Sequence, residues 1–109
     1  MAKKINNLEE FKEYLQGVMR RAKCHAPDVT NVILPLAGWL LSQSHVILIR
    51  EYNGNPANML WFWIGEKRYC FYYNHSNWTI ELRRDSYKGD IIKEFNNTTP
   101  IEEITNFQL

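Results

Sequence analysis

The stretch Met59–Tyr73, "MLWFWIGEKRYCFYY", places seven aromatic residues among fifteen. Two apolar runs rich in strand-forming residues, "MLWFWI" and "YCFYY", flank the turn residues "GEKR", the pattern of a β-hairpin. Successive side chains of a strand point to opposite faces, and directly opposed residues of an antiparallel pair share a face. A turn of two or four residues therefore puts Leu60, Phe62 and Ile64 on one side with Tyr69, Phe71 and Tyr73. The other side receives Met59, Trp61 and Trp63 with Arg68, Cys70 and Tyr72.

The same alternation continues on either side of the hairpin. "VILIREY" reads as a strand, "NGNPAN" as a loop, "NHSN" as a turn and "WTIELRR" as a strand, giving a four-stranded antiparallel meander, with "IIKEF" as a fifth strand after "DSYKGD". With even loops, Trp78, Ile80 and Leu82 join the first face, which then holds nine residues and no charge, and reads as the core. Leu48, Arg50, Tyr52, Thr79, Glu81 and Arg83 join the second. A three-residue loop would flip the parity and put the charges of the fourth strand among core residues, at a cost in unpaired buried charge.

Upstream, Asn7 and Glu10 have the spacing of a capping box, and Leu8, Phe11, Leu15, Val18 and Ala22 recur at three and four, predicting an amphipathic helix over Leu8–Lys23. Arg20, Arg21 and Lys23 crowd its last turn, where the helix dipole favours cations. "DVTNVILPLAGWLLSQS" predicts a second helix capped by Asp28 or Thr30, apolar nearly all round from Val32 to Leu41 and hence buried, or two short helices, since Pro35 kinks or starts it and Gly38 weakens it. Thr99, Pro100 and Glu102 have the N-cap, N1 and N3 pattern of a short terminal helix. The expected fold is a single α+β domain over residues 1–109. Its N-terminal helices pack on one face of a four- to five-stranded antiparallel meander sheet, and a short helix ends the chain.

Composition narrows the function. Thirteen Lys+Arg against twelve Asp+Glu leave a net charge of +1, so no global field gathers nucleic acid or anionic lipid. No segment has the length of a membrane span, and "MAKKINNLEEF" has no apolar run of a secretory signal, so a cytoplasmic protein is expected. Cys24 and Cys70 have no CxxC spacing, and His25, His45 and His75 have no metal-ligand spacing. No metal or other cofactor is therefore expected. Cys24 next to His25 makes a poor nucleophile and base, because neighbouring side chains diverge by about 100° on a helix and to opposite faces on a strand.

The second face is where binding is expected: Met59, Trp61, Trp63, Arg68, Cys70, Tyr72, Glu81, Arg83 and Arg50. Large flat apolar groups beside guanidinium groups form a patch that a monomer rarely leaves in water. Four coverings are open: the terminal helix folding back through Ile101, Ile104 and Phe107, a second copy of the chain, another protein, or a small ligand or stacked base. Trp, Tyr, Met and Arg are enriched at the centres of interfaces, which favours a homodimer. Glu81 between Arg68 and Arg83 is more simply a cross-strand ion pair than a base. A non-catalytic binding or interaction protein, of the immunity or adaptor kind, is thus favoured over an enzyme, for which Glu81, Tyr72 and Cys70 would be the first residues to consider. A single-stranded nucleic-acid reader is disfavoured by the neutral charge and by the lack of a basic groove.

The half of the chain beginning "HVILIREY", with "NWTIELRR" and "TTPIEEI", resembles the small orphan α+β proteins carried on integron gene cassettes of bacteria. That resemblance implies a bacterial accessory protein of unassigned role, often an oligomer, and assigns no functional residue.

Overall fold

In a computed structural model describing residues 2–109, the chain forms β1 (Ala2–Lys4), α1 (Leu8–His25), a 3₁₀ turn (Pro27–Val29), α2 (Ile33–Gln43) and β2 (Val46–Tyr52). There follow β3 (Asn55–Ile64), β4 (Lys67–Asn74), β5 (Thr79–Arg84), β6 (Ile91–Phe95) and α3 (Ile101–Thr105). The six strands form one antiparallel sheet in chain order. The expectation of four or five strands was therefore low. The added strand is β1, whose three residues pair Ala2 with Arg50 and Lys4 with Leu48. It is too short for periodicity to reveal, and its lysines suit an exposed edge.

The Asn7 side chain accepts from the Glu10 amide at 2.9 Å and so caps α1. Glu10 reaches back to the Asn6 amide at 2.7 Å, one residue earlier than in the usual capping box. Phe11, Tyr14 and Ala22 are buried and Leu15 and Val18 pack against them, while Leu8 is 67% exposed. Tyr14, not Leu8, thus completes the predicted stripe. The second helical segment divides into a 3₁₀ turn and α2, neither of which has a side-chain cap, so neither Asp28 nor Thr30 serves as one. The 3₁₀ turn comes first, and Pro35 falls on the third residue of α2, where no intrahelical N–H bond is lost. Ile33, Leu36, Trp39 and Leu40 of α2 are buried, but Leu34 and Leu41 are 54% and 53% exposed. The helix is therefore one-sided despite its apolar sequence.

"NGNPAN" is mostly strand. Asn53 (φ 52°) and Gly54 (φ 78°) alone make the turn, the left-handed two-residue link for which Asn-Gly is the strongest hairpin signal. Pro56 lies in β3 beside an irregularity opposite Ile49–Glu51, and Gly17 of α1 approaches its ring. A proline is tolerated at such a break in the ladder. The β4–β5 link is four residues long, so parity is preserved, but it is His75–Trp78. Trp78 consequently leaves the predicted core face; it sits at φ 58° and is 59% exposed. Thr99 does not cap α3, which starts after Pro100. Its hydroxyl instead accepts from the Asn96 amide.

Trp39 decides where the third helix goes. Its ring packs edge-on against Phe62 and Phe71 at 5.9 and 6.0 Å, and its indole N–H donates to the Phe107 carbonyl at 3.0 Å. Ile104 and Phe107 join the same core, with Phe107 against Phe95. All three helices therefore cover the face of Phe62, Tyr69, Phe71 and Leu82. The opposite, outer face has no helix upon it.

Candidate functional site

The register confirms the sorting of the aromatic stretch. Met59 lies opposite Tyr72, Trp61 opposite Cys70 and Trp63 opposite Arg68. Cys70 faces Arg83, and Tyr72 faces Glu81, on the next strand. On β2, Leu48 lies opposite Trp61, and Arg50 places its guanidinium 5.2 Å from the centre of the Trp61 ring. All nine expected site residues are thus brought to one face.

Arginine–aromatic stacking organises that face. Besides Arg50 on Trp61, Arg68 lies 6.0 Å from the Trp63 ring and Arg83 6.0 Å from the Tyr72 ring. A guanidinium over an aromatic face gains from the ring quadrupole and spreads the apolar stem across its neighbour. Met59, Trp61, Trp63, Arg68, Tyr72 and Arg83 all remain part-exposed.

Cys70 and Glu81 are a different matter, because both are fully buried. The six residues Asp85–Asp90 between β5 and β6 fold over that end of the face. Asp85 pairs with Arg68 at 2.9 Å, Tyr87 packs on Tyr72 at 5.8 Å, and the Gly89 carbonyl accepts from Arg83 at 2.8 Å. Nothing in the sequence pattern marked this loop as a cover. Its one signal was Tyr87, an aromatic residue in an otherwise polar turn.

Glu81 is fully partnered. One carboxylate oxygen accepts from Arg83 at 2.8 and 2.7 Å, the other from Asn74 at 3.1 Å and Asn77 at 3.4 Å. Burial alone would raise its carboxyl, but those hydrogen bonds and the Arg83 charge outweigh burial and hold it below the ordinary carboxylate value. The same Asn77 amide donates to Glu94 at 3.1 Å, directly across from Glu81 on β6. Burial pushes the Cys70 thiol up to about 12, with Arg83 and Arg68 opposing only partly. A neutral thiol and a locked carboxylate give neither nucleophile nor general base.

Among the described residues, no group of three His, Cys, Asp or Glu side chains is placed to hold a metal. None of the helices is long and apolar enough to cross a membrane.

A family model described as "Integron cassette protein VCH_CASS1 chain" matches residues 11–105, from Phe11 within α1 to Thr105 at the end of α3. The chain belongs to this family. The resemblance first seen from His45 onward therefore extends across the helical half of the cassette protein as well. A search of curated proteins finds no match. The family description carries no activity, so the function of the cassette protein rests on its own surface.

A stripe on α2 was also hidden in the sequence. Leu34 and Leu41 lie two turns apart on the outward side of α2, with the exposed Gly38 between them. The all-round apolar pattern of this helix hid that stripe, since it gave no way to tell which leucines face inward.

Proposed function

We propose that the cassette protein is a non-catalytic binding protein that works in the cytoplasm, and that its aromatic and arginine face is the surface on which two copies associate. The observation carrying this reading is that all three helices lie on the other face, which leaves Trp61 and Trp63 part-exposed with no helix upon them, while the Asp85–Asp90 loop covers only the Tyr72 end. A self-complementary contact needs a face with little net charge. Arg68 and Arg83 are already paired with Asp85 and Glu81, so among the described residues only Arg50 of the three stacked arginines lacks a carboxylate. Those same pairs make a nucleic-acid strand the weaker occupant, and the burial of Cys70 and Glu81 removes the polar handles that a small ligand or a substrate would use on this face.

Light scattering coupled to size-exclusion chromatography tests the reading. The expected mass is twice the 13.0 kDa of one chain, falling to one chain when Trp63→Glu is introduced with the circular dichroism spectrum unchanged. A wild-type monomer at all concentrations would sink the proposal. The exposed leucine stripe of α2 favours a second reading, in which the copies meet through that helix. A Leu34→Lys, Leu41→Lys variant that dissociates while Trp63→Glu stays dimeric would move the interface there.

A further inference from the structure

On the helix side of the sheet, a cleft of about 150 Å³ lies between α1, α2 and strands β3 to β5. Its walls are apolar, with Val18 from α1, Leu36 and Leu40 from α2, and Leu60 and Phe71 from the sheet. A closed cavity of this volume would hold a body about as large as benzene; this cleft is open beside Arg21, His25 and His75, so a longer chain can extend past its mouth. Tyr73 also lines it and is 8% exposed, yet its hydroxyl, sealed from solvent, makes no hydrogen bond to any described residue. Buried hydroxyls without a partner are uncommon, since each forfeits its bonds to water. The Tyr73 ring meets His75 edge-on at 4.7 Å, so the hydroxyl-bearing side chain adjoins the polar part of the cleft.

That polar part carries one formal charge, the guanidinium of Arg21. Arg21, His25 and His75 line the cleft, and all three are exposed on their solvent side; no carboxylate lines it. Arg21 has no ion-pair partner among the described residues. Burial, with a smaller push from the charge of Asp28, raises the Tyr73 phenol above its ordinary value, so the hydroxyl stays protonated and able to donate. An apolar chamber, one orphaned donor and an unpaired guanidinium together describe a receptor for a small amphiphilic anion.

We propose that this cleft binds a monocarboxylic acid with a short apolar body, its chain among Val18, Leu36 and Leu60. The carboxylate faces Arg21 and accepts from the Tyr73 hydroxyl once a shift of the ring opens that sealed group to the cleft. This site is separate from the outer face of the sheet, and neither proposal depends on the other.

The probes are octanoate, octan-1-ol and octylamine, titrated calorimetrically into the full chain, with amide chemical shifts of Arg21, Tyr73 and His75 recorded alongside. Octanoate is expected to bind saturably at one site and to move those three signals, with octanol and octylamine at least roughly tenfold weaker, the scale of a hydrogen bond to a charged group. Tyr73→Phe is expected to keep its melting temperature, because the lost hydroxyl had no partner, and to lose roughly tenfold in octanoate affinity. Arg21→Gln lies on the exposed side of α1, leaves the core intact, and is expected to reduce the preference for octanoate over octanol. Absence of saturable octanoate binding at millimolar concentration overturns the proposal. So does equal binding of octylamine, or an octanoate affinity that neither substitution changes.

Discussion

Cys70 and Glu81 occupy neighbouring strands on the outer face, and their surroundings set opposite responses to pH. The thiol, raised from 9.0 to about 12 by burial, favours the folded state fully while it is neutral in both states. That contribution is lost as pH rises above 9.0 toward 12. The Glu81 carboxyl is held below its ordinary 4.5, so its contribution is present above that value and is lost as pH falls through the lowered one. Glu81→Gln is therefore expected to flatten the acid limb of a stability–pH curve measured by urea unfolding, and to leave the alkaline limb unchanged. An acid limb as steep as in the wild type would show that other carboxylates carry it. Cys24 is exposed and Cys70 is not, so a thiol-specific disulfide reagent is expected to titrate one thiol in the native chain and two after denaturation. Parity brought Glu81 and Arg83 to one face, but their ion pair runs along β5 and is not the expected cross-strand pair, because Arg68 on β4 is taken by Asp85. The burial of Glu81 was not readable, because that depends on how a loop without periodicity folds back.

At the scale of elements, that loop is the part most open to a single substitution. A Cβ on Gly89 would lie 1.8 Å from the Arg84 carbonyl oxygen and 2.8 Å from its carbon, so backbone must move to admit it. Gly89→Ala is expected to cost about 1–3 kcal/mol, the range for forcing atoms into a packed site. It is also expected to free Tyr87 from Tyr72 and make Cys70 reactive in the native state. Both effects are checked by denaturant unfolding and by the rate of thiol labelling; unchanged labelling would mean that the loop does not shield Cys70. The strands of the meander were readable because they alternate, and the Asn53–Gly54 turn was within the loop that was expected. The departures lie where a local signal competes with the ladder. Pro56 argued for a loop, though a break in pairing accommodates it, and Trp78 argued for a strand, though a left-handed turn residue was needed there. In Ala2–Lys4 there was too little sequence to alternate at all.

Across the whole molecule, one sheet separates a helix-covered face from an open one, and Trp39 sets the division. Its indole anchors the end of the chain at Phe107, which brings α3 onto the inner face and overturns the expectation, one of four, that this helix folds back over Trp61. Sequence pattern could assign residues to two faces but could not say which face the last helix prefers, because Ile101, Ile104 and Phe107 are equally apolar toward either. The consequence is that stability and association should separate by face. Phe62 is fully buried among Trp39, Tyr69 and Phe71, and Phe62→Ala is expected to cost about 3–5 kcal/mol, a large share of the roughly 5–15 kcal/mol that holds a domain folded. Trp63, its chain neighbour, points to the other side and is part-exposed. Trp63→Ala is expected to cost about 1 kcal/mol or less in the monomer, while weakening self-association at least tenfold, the scale of a central aromatic in an interface. Urea unfolding and concentration-dependent light scattering on the two variants read the two quantities independently. If Trp63→Ala destabilised the monomer as much as Phe62→Ala while dissociation stayed as in the wild type, the outer face would be a second core layer and not a surface for a partner.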